Sequence, residues 1–193
     1  TLRAYLGRVR DSVNTFTSPS CLGTGQRLLD VDYLMPGLTL DEGGHVGNVM
    51  TALARYSRLV VTTDFSGASL LCRYAVKEMA SGKVDHLPEG LRDFLPVYID
   101  LPGLEKGLLT PGTSLREVIT GRYGDIVDWD QSSFLTRLTL GSALVVLDNL
   151  DHLPPEERAV ALAWVREVQG WNALMLVPTR HPTESCLDQL PVL

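Results

Sequence analysis

Three stretches of this chain place polar and charged residues just past apolar runs, and the first of them has the layout of a phosphate-binding loop. In "VVTTDFSGASLL", Val60 to Leu71, a β-branched apolar run leads through a polar loop into a helical pattern, with Gly67 and Ser69 at the turn. Such a loop binds phosphate when successive backbone N–H groups point at the anion, which needs glycine conformations, and when a lysine ammonium reaches the outer phosphates. Between Gly67 and Ser69, however, stands Ala68. In "SALVVLDNLDHL", Asp148 closes an apolar run and is followed by Asp151 and His152. In "NALMLVPTR", Arg180 follows another apolar run, where it could meet a phosphate or pair with one of the acids.

These residues need a frame, and the apolar pattern supplies one. "RLVVT" reads as a strand covered on both faces. After it, Leu70, Leu71, Tyr74, Ala75 and Met79 share one side of a helix that stops at Ser81-Gly82. "LPVYIDL" is a second strand, and Ser114 to Arg122 a short helix with Ser114 as cap and Glu117 three residues on. "SALVVLDNLDHL" is the third strand, closed by Pro154-Pro155. The next helix has Glu156 and Glu157 in its first turn, Val160, Trp164 and Val168 as a stripe, and Gly170 as its stop. "NALMLVPTR" is the fourth strand. Strands alternating with helices predict a parallel sheet with right-handed crossovers, which binds ligands at the carboxyl ends of its strands.

Upstream, "TLRAYLGRVRDSV" places Leu2, Tyr5, Leu6, Val9 and Val13 on one helical face. A turn-rich segment through Gly25 follows, then "RLLDVDYLMPGLTL" as a strand or extended arm. After Gly43-Gly44, the spacing of Val46, Val49, Leu53 and Tyr56 predicts a helix. Residues 1–44 are thus expected to be a helix and arm packing on a core formed by 45–193.

The 193 residues, 45% hydrophobic, suffice for one well-buried domain. A net charge of −6 and a pI near 5.2, with scattered arginines, argue against a nucleic-acid surface. No apolar run approaches the ~20 residues that span a bilayer. Cys21, Cys72 and Cys186 lack metal-ligand spacing and read as buried thiols of a reducing compartment, so a cytoplasmic location is expected. The chain starts at Thr1 and stops at "QLPVL", which predicts a segment excised from something longer. His45, His86, His152 and His181 have no metal spacing. Asp125, Asp128 and Asp130 around Trp129 read as a solvated loop, and no serine sits in a G-x-S-x-G elbow.

Taken in order, "LVVTTDFSGASLLCRYA", "LPVYIDL", "LTLGSALVVLDNLDHLPPEERAVALAWVREV" and "ALMLVPTR" resemble the NACHT-type domains of the STAND class of P-loop NTPases, over roughly residues 46–180. In that family the first strand leads into G-[DE]-P-G-S-G-K-[ST]-T-L-L, the third ends in hhhhD-G-L-D-E, and the fourth in T-S-R-P. The resemblance implies a three-layer α/β sandwich whose mainly parallel sheet has the ASCE-type order 5-1-4-3-2. It also implies kinship with signalling switches driven by nucleotide exchange, the present chain ending before their helical domains.

Laid on the family pattern, Thr62 stands at the first glycine, Asp64 at the proline, Phe65 at the second glycine and Ala68 at the lysine. Ser66, Gly67 and Ser69 remain. Loss of the lysine alone removes a charge-assisted contact of roughly 1.5–3 kcal/mol, while Phe65 and Asp64 place a ring and a negative charge where the backbone should wrap a polyanion. Of three lysines, Lys77, Lys83 and Lys106, none is placed to substitute, and Arg73 reads as solvated or sheet-facing. Asp148 matches the magnesium-organising aspartate, Asp151 the second acid, and His152 replaces the water-polarising glutamate. Asp148 has a structural alternative, a buried aspartate bonded to Ser69 or backbone N–H groups. Arg180 is either the sensor arginine or a strand-end arginine paired with an acid.

The resemblance and its departures predict a catalytically inactive domain, a scaffold or protein-interaction module of a larger signalling or defence protein. No cofactor or metal is expected. The alternative is a switch that holds ATP or ADP, with magnesium, through Ser69, Asp148 and Arg180 without efficient hydrolysis. A working ATPase completed by a neighbouring subunit's basic residue is a third, weaker expectation. Partners are expected to be proteins or neighbouring domains, with assembly through flanking domains, and neither nucleic acid nor membrane.

Overall fold

A computed structural model of the chain describes residues 2–20, 23–28, 38–39, 45–56, 58–61, 67–81, 87–105, 107–124, 131–171 and 173–180. Its centre is a four-stranded parallel sheet of β5 (Arg58–Val61), β6 (Leu95–Asp100), β7 (Ala143–Asp148) and β8 (Leu174–Pro178), in the order β5-β8-β7-β6. Counted along the chain these strands stand 1-4-3-2. Strand β7 is buried along its whole length and β6 along all but Asp100, as continuous apolar runs in a sheet covered on both faces should be.

Helices α1 (Leu2–Val13), α2 (Val49–Arg55), α3 (Gly67–Ala80), α4 (Leu115–Tyr123), α5 (Gln131–Thr139) and α6 (Pro155–Gly170) flank the sheet. The chain crosses the sheet from β5 to β6 and steps back through β7 to β8. Right-handed crossovers therefore put α3 on one face and α4, α5 and α6 on the other. No helix among the described residues is long and apolar enough to cross a membrane.

Helix α1 joins the same core through Tyr5, Val9 and Val13, all fully buried. It covers the outer edge of β6. The Leu95 N–H donates to Ser142 O, 2.8 Å, toward β7, so Pro96, which has no N–H to give, faces away from the ladder, where a proline is tolerated. The outward carbonyls are taken by phenols: Tyr5 donates to Pro96 O at 2.7 Å and Tyr123 to Tyr98 O at 3.1 Å. The two rings meet edge to face at 5.1 Å.

Helix starts follow their capping chemistry. Ser114 and Glu117 form the expected capping box of α4. A second anchor has no local signature: Glu167 of α6 accepts from the N–H groups of Leu115, 2.8 Å, and Arg116, 3.4 Å. Asn48 caps α2 through Thr51 N–H at 3.0 Å, and Gly47 sits at φ 87, so the helix cannot extend back to Val46. Val46 belongs instead to β4 (His45–Gly47), antiparallel to β3 (Leu38–Thr39). The turn-rich segment forms an antiparallel pair, β1 (Thr15–Ser20) with β2 (Gly23–Leu28). Most of the expected arm, 29–37, lies outside the described residues, as do Cys21, Cys186, Lys83, Lys106 and the acidic stretch 125–130.

Burial sets a pH limit on the edge closure. The Tyr5 hydroxyl is pushed well above the ordinary 10.0 by burial, with neighbouring Tyr123 adding to the effect, and burial raises Tyr123 as well. The unfolded chain then loses these protons first, so their stabilisation is intact below pH 10 and declines as the pH rises beyond it. The urea midpoint is expected to fall above about pH 10. The slope should be shallower in Tyr5→Phe, which also costs about 1 kcal/mol at neutral pH.

Candidate functional site at the strand ends

The parallel register of β6 and β7 aligns Asp100 with Asp148. Side chains alternate between faces, so Tyr98 shares the face of Asp100, and both lie beside Asp148. Over that face runs α3, whose Ser69 and Arg73, four residues apart, project together. Asp148 is fully buried. Its Oδ1 accepts from Ser69 Oγ at 2.6 Å and from the Asn149 N–H at 2.8 Å. Its Oδ2 accepts from the Tyr98 hydroxyl, which in turn accepts from Arg73 Nε at 2.8 Å. Arg73 Nε lies 3.9 Å from Oδ2 itself. Burial raises the Tyr98 phenol far above its ordinary value, and the nearby Asp148 carboxylate adds to the shift.

The next residue fixes the neighbouring strand end. Asn149 adopts left-handed φ 64, a conformation asparagine tolerates better than most residues, and its Nδ2 donates to Asp100 Oδ1 at 2.8 Å. Gly103 closes over the same carboxylate, since a Cβ there would come within 2.9 Å of Asp100 Oδ2. Asp151, on the 3-10 turn Leu150–His152, accepts from Thr179 Oγ1 and from the Arg180 N–H, both at 2.7 Å. That contact ties the end of β7 to the end of β8. Cys72 is buried nearby, its thiol pushed well up by burial and then by the Asp148 charge.

Among the residues expected to matter, Ser69, Asp148 and Asp151 are drawn into polar clusters, and Asp148 takes the buried, Ser69-bonded arrangement that is its structural alternative. His152 is exposed on its turn. Arg180 pairs with an acid, but through its backbone, its side chain being exposed. Gly67 opens α3 with nothing within 4 Å of where a Cβ would stand and no left-handed φ, so the described backbone does not require glycine there. Ala68 packs against the core. Thr62, Asp64, Phe65 and Ser66 lie outside the described residues. So do His86 and His181.

The chain matches no family model and no curated protein. Tyr98 and Asn149 are the participants that motif reading passes over. A tyrosine inside an aliphatic strand, two residues before Asp100 and so on its face, is the available signal for the first; the second adjoins a marked aspartate. Arg73 proves sheet-facing, with its side chain still partly exposed. Among the described residues no group of three His, Cys, Asp or Glu side chains could hold a metal ion.

The cluster behaves as a closed hydrogen-bonded unit, so its centre should be costly to remove and its rim cheap. Asp148→Ala is expected to destabilise by roughly 3 kcal/mol, because it strands Tyr98, Ser69 and the Asn149 N–H. Gly67→Ala should be neutral or stabilising by up to about 1 kcal/mol. Urea unfolding of both variants checks the contrast.

Proposed function

We propose that the chain is a catalytically inactive, NACHT-like domain of the P-loop NTPase type, serving as a scaffold or protein-interaction module in a larger cytoplasmic signalling or defence protein. Asp148 carries this reading. The carboxylate that would organise magnesium has both oxygens engaged by Ser69, Asn149 and Tyr98, and none of its surface faces solvent. The donor set does not fit a magnesium–nucleotide, which requires exchangeable oxygen ligands and a cation on the outer phosphates. Ala68 packs against the core where that cation would stand, and His152 is exposed on its turn.

Kinship with P-loop folds is supported by the 1-4-3-2 order of the described strands, which are four of the five places in 5-1-4-3-2. It is further supported by polar residues at the expected strand ends. Partners are then proteins or adjoining domains, met through surfaces outside the strand-end cluster. One observation favours the alternative, a switch that binds ATP or ADP without hydrolysis: Ser69 and Asp148 adjoin at 2.6 Å, as a shared magnesium would require.

Calorimetry and thermal shift with Mg-ATP, Mg-ADP and GTP separate the two. No saturable stabilisation is expected, and sub-millimolar binding would establish the switch instead. Phosphate release abolished by Asp148→Ala would reinstate an ATPase. Ala68→Lys alone is expected not to create micromolar ATP affinity, because the lysine stem must leave the core and Asp64 and Phe65 remain. Tight binding by that single variant would show an intact cradle.

A further inference from the structure

We infer that Arg73, acting through the Tyr98 hydroxyl, is the resident counter-cation of Asp148 and occupies the electrostatic role that a divalent metal would otherwise fill at this strand end. The inference rests on the closed-site reading above and specifies what closes the site. The order of donors is fixed: Arg73 Nε donates to Tyr98 Oη at 2.8 Å, and Tyr98 donates its own proton to Asp148 Oδ2. A phenol so placed passes the guanidinium's polarisation to the carboxylate.

The cation is also held sterically. The Arg73 guanidinium carbon lies 5.5 Å from the centre of the Tyr98 ring, and Nε lies 3.9 Å from Oδ2. The Arg73 side chain is 22% exposed against 0% for Asp148, so the pair is shielded on the acid's side and wet on the base's side. Lys77, one helical turn further along α3, is buried but meets Glu78 at 3.8 Å and the Tyr74 ring. Of the other acids at the strand ends, Asp100 accepts from Asn149 while its charge also reaches Arg73, and Asp151 accepts from Thr179 and the Arg180 N–H. A carboxylate excluded from water needs a compensating charge. Here Arg73 supplies it from within the chain, leaving no demand for a metal.

Removing the internal cation should therefore leave a buried charge uncompensated, a cost that neutralising Asp148 as well would relieve. Melting temperatures of the full 193-residue chain and its variants are measured with no added metal and with millimolar Mg²⁺ or Mn²⁺ alone. The unaltered chain is expected to be indifferent to both ions. Arg73→Met should melt roughly 5 °C or more lower. Adding Asp148→Asn to Arg73→Met should cost much less than Asp148→Asn costs in the parent, because the double variant no longer buries a lone charge. If Arg73→Met does not fold, Arg73→Gln, which keeps a donor for Tyr98 without the charge, is read by the same criteria. Asp148-dependent stabilisation of the unaltered chain by Mn²⁺ would overturn both this inference and the closed site. Losses for Arg73→Met and Asp148→Asn that simply add, or an Arg73 variant as stable as the parent, would overturn the counter-cation alone and leave the closed site standing.

Discussion

A carboxylate with no access to water constrains everything around it, and Asp148 is such a carboxylate. Its desolvation costs several kcal/mol unless hydrogen bonds and opposite charge offset it, and the partners come from separate parts of the chain. Ser69 is 79 residues away and Tyr98 is 50 residues away in sequence. Satisfying both at once fixes the phase of α3, since Ser69 and Arg73 must face the sheet together. It also fixes the register of β6 on β7, since a slip by one residue would turn Tyr98 to the opposite face. Apolar burial drives the sheet and helices together, but it would tolerate neighbouring arrangements that this one polar centre does not.

The same centre decides what chemistry the strand ends can support. Carboxyl ends of parallel strands are where such folds place reactive groups, and this chain has gathered Asp100, Asp148 and Asp151 there. Each is engaged by a fixed donor: an asparagine amide, a serine and a phenol, a threonine and a backbone N–H. Their polarity is used to join strands to one another and to α3.

Much of the frame is legible in the sequence because apolar runs and cap residues act locally. The sheet strands and helices α1, α3, α4 and α6 fall where periodicity places them, and Ser114 with Glu117 forms its capping box. What escapes reading depends on contacts distant in sequence or on single backbone conformations. Helix α5 carries no local mark; its buried Phe134 and Leu138 are a short stripe that only the neighbouring core makes meaningful. Gly47 and Asn48 move a helix start by three residues. Glu167 caps a helix about fifty residues upstream, which no window could reveal. At the site, Ser69, Asp148 and Asp151 are marked by position, whereas Tyr98 is hidden inside a strand whose neighbours are aliphatic.

The phenol of Tyr5 bonds a carbonyl 91 residues further along the chain. At translation rates of roughly 5–20 residues per second, that carbonyl is made about 5–20 s after the tyrosine. The ring therefore exists well before the strand whose edge it closes. For that interval α1 can meet α3, which is made earlier, but not the β6 edge that it closes. An element synthesised ahead of the sheet thus completes its burial only once the sheet's edge exists.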